Sequence, residues 1–186
     1  MAVAGLNGFE AGKACVAGST MTKHLLAPVA LFLALALSGC SSNGEGTLQV
    51  QVTDLPGDIA DFSALPVTVS SIELTMKDGG KESYAPSDGT FDLTTLVNGN
   101  TTTLFKDDVK AGNYTRLALK VRDATGTLKS GGQVAVTTPG GTLFLEQAFT
   151  VKEGEETNFL FDVVVHKEGN GQYIFQPNAS GSRVTN

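Results

Sequence analysis

From residue 47 onward the chain reads as one β-strand signature after another. Glycine-bearing turns separate them, and nowhere do apolar residues recur at helical spacing with capping signals. "TLQVQVTD" (47–54) sets Leu48, Val50 and Val52 against Gln49, Gln51 and Thr53. That period of two gives a strand one dry face and one wet face. "PVTVSSIELTM" (66–76) is rich in β-branched residues and stops at the turn Asp78-Gly79-Gly80. "YTRLALKVRD" (114–123) alternates Leu117, Leu119 and Val121 with Arg116, Lys120 and Arg122 over most of its length, so its second face is cationic. Then come "QVAVTT", the turn Pro139-Gly140-Gly141, "TLFLEQAFTV", the turn Glu153-Gly154-Glu155, "TNFLFDVVVH" and "QYIFQP". Turn signals every 8–15 residues or so are the cadence of a sandwich or barrel. The expectation is a single all-β sandwich over 47–180, immunoglobulin-like or prealbumin-like, with about seven to nine strands and a tail at 181–186. One short helical turn is expected in "DLTTLVNGN" (92–100), with Leu93, Leu96 and Val97 as its apolar side.

Such a domain must stand on its core alone. The two cysteines, Cys15 and Cys40, both precede the strand region, so no disulfide can staple it. The 147 residues from Cys40 onward hold 18 acidic and 11 basic side chains, and a chain of that length buries enough surface to fold unaided. The acidic balance, with its lysines scattered, argues against a nucleic-acid partner.

The chain ahead of the strands has a different logic. From Met21 it reads "MTKHLLAPVALFLALALSGC": Lys23 and His24 open it, an apolar run follows from Leu25 to Leu37, and Ser38 and Gly39 are small. This is the three-part plan of a secretory signal at 21–39, too short for a membrane span of roughly 20 apolar residues. Leu37-Ser38-Gly39-Cys40 resembles the bacterial lipobox. That resemblance implies cleavage between Gly39 and Cys40, a diacylglycerol thioether (with a further acyl chain, such as palmitate) on Cys40, and a lipid anchor in the membrane. "SSNGEG" (41–46) then serves with Cys40 as a flexible tether over 40–46. The first twenty residues fit no signal plan, and residues 1–20 read as an upstream extension ahead of a true start at Met21.

The side-chain chemistry names no catalytic residue. His166 is the single histidine after Cys40 and sits at a strand end running into "EGNG"; no Gly-x-Ser-x-Gly elbow accompanies it, so a Ser-His-Asp triad has no basis. Transition-metal sites need His and Cys clusters, which are missing here. Calcium takes Asp, Asn and backbone oxygens from turns, and Asp54 or Asp58 combined with Asp162 is the candidate set. Asp162 stands inside an apolar strand, and a buried Asp must be paired, hydrogen-bonded or metal-bound. The plainer reading has Asp54 capping a turn, "LPGD" as a reverse turn, and Asp162 paired with Arg116 or Arg122. Sugar stacking would use Tyr84, Tyr114 or Tyr173; for Tyr114, at the start of a strand, a hydroxyl-to-backbone corner bond is the plainer role. Asn-x-Ser/Thr triplets at Asn100, Asn113 and Asn178 read as chance in a threonine-rich chain.

Four stretches in order, "GTLQVQVTDLPGD", "LPVTVSSIEL", "DLTTLVNGNTTTL…AGNYTRLALKV" and "FTVKEGEETNFLFDVVV", resemble the family called domain of unknown function 4382. Its members look like secreted, commonly lipid-anchored β-domains. The resemblance implies no activity. Where the family's late segment often resembles Leu-x-x-Asp-Phe-Asp, this chain has Phe161-Asp162-Val163-Val164 and keeps one acid. The expectation is therefore a lipid-anchored lipoprotein of the cell membrane or outer membrane, facing the periplasm or exterior. It would be a non-enzymatic binding or structural module with an envelope protein or glycan as partner. The alternatives are a calcium-dependent carbohydrate-binding module and an accessory hydrolase domain.

Overall fold

A computed structural model describes residues 44–185. In chain order the strands are β1 (Glu45–Asp54), β2 (Phe62–Ala64), β3 (Pro66–Met76), β4 (Lys81–Tyr84), β5 (Thr90–Asp92), β6 (Thr102–Lys110) and β7 (Gly112–Leu128). They continue with β8 (Gln133–Thr137), β9 (Thr142–Leu145), β10 (Phe149–Val151), β11 (Glu156–Lys167), β12 (Tyr173–Pro177) and β13 (Arg183–Val184). The class is all-β as expected. The strand count is not: thirteen strands are described where seven to nine were expected. "TLFLEQAFTV" breaks into β9 and β10, and β2, β5, β10 and β13 hold only two or three residues each. Glu45 and Gly46, read from sequence as tether, belong to β1, and β13 lies in the expected tail. The expected helical turn is a 3-10 turn at Leu93–Thr95. Asp92 caps it, its Oδ1 accepting from the N–H groups of Leu65 and Thr94 at 3.0 Å each.

The main path of the sheet runs β4-β3-β7-β8-β12-β11-β1-β6, so the two halves of the expected sandwich are one curled sheet. The joint is β7, a 17-residue strand. Its first part pairs with β3, β9 and β10, and its last residues pair with β2 and β8. β8 then runs parallel to β12, which hands over to β11 and β1. Both halves send side chains into the same interior. Val52, Val163 and Phe175 from one half meet Val67, Val69 and Leu119 from the other around a gap of only about 10 Å³. The fully buried Phe159 and Phe161 come from β11. Every buried hydrophobic residue among the described ones lies between Leu48 and Phe175, so the domain from residue 44 onward carries its own core.

Tyr114 takes the corner role. It is 1% exposed, its hydroxyl donates to the Lys110 carbonyl at 2.6 Å, and its ring stacks on Phe149 with centroids 5.1 Å apart. Burial, with Glu82 nearby, pushes its hydroxyl up to about 12, so it remains a donor throughout the useful pH range. Tyr114→Phe keeps the stack and orphans the carbonyl, and is expected to cost about 1–2 kcal/mol in a urea melt.

Candidate functional site

The three acids singled out for calcium do not come together. Asp58 sits in the loop after β1, where its Oδ2 accepts from the Lys167 N–H at 2.6 Å. Lys167 lies five residues beyond Asp162 on β11, roughly 16 Å at a strand's rise per residue. Asp54 and Asp162 are near neighbours in the β1–β11 ladder, with Thr53 opposite Asp162 and Asp54 opposite Val163. Strand alternation, however, sends Asp54 to the core side with Leu48, Val50 and Val52, and Asp162 to the reverse side of the sheet from Phe161 and Val163.

Asp162 is 5% exposed because residues 178–182 fold over it. Asn178 Nδ2 donates to its Oδ2 at 2.7 Å, the Ser182 hydroxyl oxygen accepts from its backbone N–H at 2.9 Å, and Gly181 passes so close that a Cβ there would lie 1.8 Å from the carboxylate. Its partners are thus a C-terminal strap, not Arg116 or Arg122. Asp54 does not cap a turn. It is 3% exposed and neither carboxylate oxygen has a hydrogen-bond partner, nor does Oδ1 of Asp162. Burial first, then the charge of Asp162, raises the Asp54 carboxyl to about 7. Among the described residues no group of three or more His, Cys, Asp or Glu could hold a metal ion. Cys40 and Gly39 lie outside the described residues, as do 1–20 and 21–39.

Tyr114 and Tyr173 are buried and offer no stacking platform, whereas Tyr84 is half-buried. Tyr173 is 3% exposed, with Phe62 packed edge-on at 4.8 Å and Lys167 over its ring. Its hydroxyl is 2.6 Å from Asp61, and this bond, reinforced by Lys167, holds the Asp61 carboxyl below its usual range. A cavity of about 380 Å³ opens beside this cluster, but its Lys167 is already matched by Asp61 at 3.6 Å. Tyr84 packs against Phe105. His166 is exposed near the end of β11, opposite Ile174.

A different surface gathers chemistry. On the outer face of β3, β7 and β9 the registers place side chains in three rows: Ser71–Lys120–Thr142, Glu73–Ala118–Phe144 and Thr75–Arg116. The centre is Ala118, the smallest side chain of the set. Around it opens a groove of about 320 Å³ that also reaches Lys81 and the Pro139-Gly140 turn, where Gly140 has φ +68°. Phe144 is 44% exposed, one of two large exposed hydrophobics among the described residues, and the Arg116 guanidinium lies 3.9 Å from its ring centre. Such a stacked pair contributes about 0.5–1 kcal/mol where solvent reaches it. Arg116 also meets Glu146 at 3.3 Å, and Lys120 pairs with Glu73, while Lys81 has no ion pair among the described residues. The cationic face of β7 was legible in "YTRLALKVRD". Phe144 and Glu73 were not, although the alternation in "TLFL" marks Phe144 as the residue facing away from Leu143 and Leu145.

The sequence pattern of the domain of unknown function DUF4382 matches residues 45–177, and the chain belongs to that family. No curated protein matches the chain. Among solved structures, the NMR structure of a protein from Eubacterium rectale aligns over 73% of this chain and 89% of its own at 16% identity. Its TM-score of 0.23 supports no structural inference.

Proposed function

We propose that this member of the DUF4382 family is an exported lipoprotein, anchored through lipid on Cys40, whose β-domain is a non-enzymatic binding module of the cell envelope. The observation that carries the binding role is the groove over Ala118, where an exposed aromatic ring and two cations, Lys81 and Arg116, converge on the open face of a rigid sheet. Sites on strands hold geometry better than sites on loops, which suits recognition. The anchor rests on the lipobox and its spacing: Glu45 stands five positions after Cys40, a reach of at most about 17–18 Å. The start of the domain would therefore lie close to the membrane surface, in the periplasm or outside.

The anchor is tested with the full chain expressed in a bacterial host fed labelled palmitate. Label and membrane fractionation are expected for the native chain, and both are lost on Cys40→Ala. A Cys40→Ala chain that still fractionates with membrane lipid contradicts the anchor. The binding role is tested with residues 44–186 mixed with isolated cell envelopes: co-sedimentation is expected, reduced at least tenfold by Phe144→Ala.

A second reading, a calcium-dependent carbohydrate-binding module, draws on the unpartnered buried oxygens of Asp54 and Asp162. Their placement on opposite sides of the sheet favours protonation over chelation. A melt in calcium and then in chelator separates the two. Protonation leaves the midpoint unchanged, whereas a native-state cation raises it by several degrees through linkage.

A further inference from the structure

Resting on that binding role, we infer that the outer face of β3, β7 and β9 takes a uronate-bearing glycan, with a sugar ring seated over Ala118 against Phe144 and its carboxylate held by Arg116 and Lys81. The charge distribution points to an anionic ligand. From Cys40 onward the chain has seven more acids than bases. Yet the groove and its rim hold Lys81, Arg116 and Lys120 against Glu73 and Glu146, and Arg122 is exposed further along β7. Lys81 has no acidic partner among the described residues. Arg116 lies on the Phe144 ring, a pose in which the edge of its guanidinium fork can donate to a second carboxylate beside Glu146.

The remaining surface suits a sugar better than a peptide. At these rows β7 is hydrogen-bonded to β3 on one side and β9 on the other, so an added peptide strand could pair only at the outer edges of β4 or β9 and not over Ala118. Apart from Phe144 and Ala118 the face is polar: Thr75, Thr142 and Glu73 line the groove with hydroxyl and carboxylate oxygens. A sugar ring presents its apolar C–H face to the face of an aromatic ring and its hydroxyls to such oxygens. The small side chain at Ala118 leaves the depth for it.

The test is affinity electrophoresis of residues 44–186 through gels containing polygalacturonate or, separately, neutral dextran. Polygalacturonate is expected to retard the domain, with the effect weakened by salt. Arg116→Ala, Lys81→Ala and Phe144→Ala should each reduce retardation at least fivefold, while Lys129→Ala, away from this face, leaves it unchanged. All four are surface changes, and a far-ultraviolet melt within a few degrees of the native domain shows each is folded. Retardation that survives Arg116→Ala and Phe144→Ala overturns the site. Retardation by dextran alone, or none in either gel, overturns the uronate assignment. If envelope co-sedimentation remains sensitive to Phe144→Ala in that case, the binding role itself stands, and if it too is absent, both fall.

Discussion

Asp54→Asn is expected to stabilise the domain by up to about 4 kcal/mol at pH 8 and to change it little at pH 4. The native carboxyl sits among core side chains with no hydrogen-bond partner, and burial together with Asp162 raises it from 3.8 to about 7. In the unfolded chain the same group ionises near its ordinary value. Between pH 4 and pH 7 the folded state therefore binds the extra proton, and stability falls as pH rises, by about 1.4 kcal/mol per pH unit. Above pH 7 both states are ionised and the curve levels. Asp162, also raised by burial though its bond from Asn178 opposes this, slopes in the same direction. Asp61 and Asp92 are lowered and act in the opposite sense: they contribute stability that is lost as pH falls below about 4, outside this window. For Asp61 the leading cause is the Tyr173 hydroxyl. For Asp92, burial is outweighed by the donors from Leu65 and Thr94. Urea melts at pH 4, 6 and 8 read the result directly. A native domain equally stable at pH 4 and pH 8, with Asp54→Asn giving no gain, would mean that Asp54 is ionised and compensated in the fold.

Phe161→Ala is expected to cost about 3–5 kcal/mol, a large share of the 5–15 kcal/mol that holds a domain of this size together. Phe161 is 0% exposed on β11, opposite Val52 of β1, with Phe159 two residues before it on the same side. Its neighbours come from strands fixed by hydrogen bonding on both sides, so they cannot close over the lost ring. The urea midpoint should drop sharply while the slope stays constant, because the surface exposed on unfolding is nearly unchanged. A loss below 1 kcal/mol would show that the β11 ring does not lie at the centre of the core.

What could be read from the sequence was what local periodicity carries. β3 falls on 66–76 as its β-branched run indicates, β1 and β11 extend their expected runs by only one or two residues at either end, and Tyr114 makes its corner bond. The breaks inside strands were hidden. β7 continues past Asp123 to Leu128 because, beyond a bulge opposite β3, it finds new partners in β2 and β8, and no local residue announces them. Asp162 stands out in the sequence as an acid inside an apolar strand, yet its partners lie sixteen and twenty residues later, Asn178 at the end of the expected domain and Ser182 in the expected tail, and no local pattern links them to it. The groove was hidden for the same reason. Glu73, Ala118 and Phe144 are far apart in sequence and become a row only through two antiparallel registers. Each one alone looks like an ordinary wet-face residue.

The working surface is tested most directly by amide chemical-shift mapping of isotope-labelled residues 44–186 titrated with polysaccharide extracted from the source cell envelope. Binding at the sheet face predicts shifts centred on Glu73, Ala118 and Phe144, spreading to Arg116 and Lys81. Shifts confined to the loop around Asp58–Asp61 with Lys129 and Lys167, or no shifts at saturating polysaccharide, would contradict it.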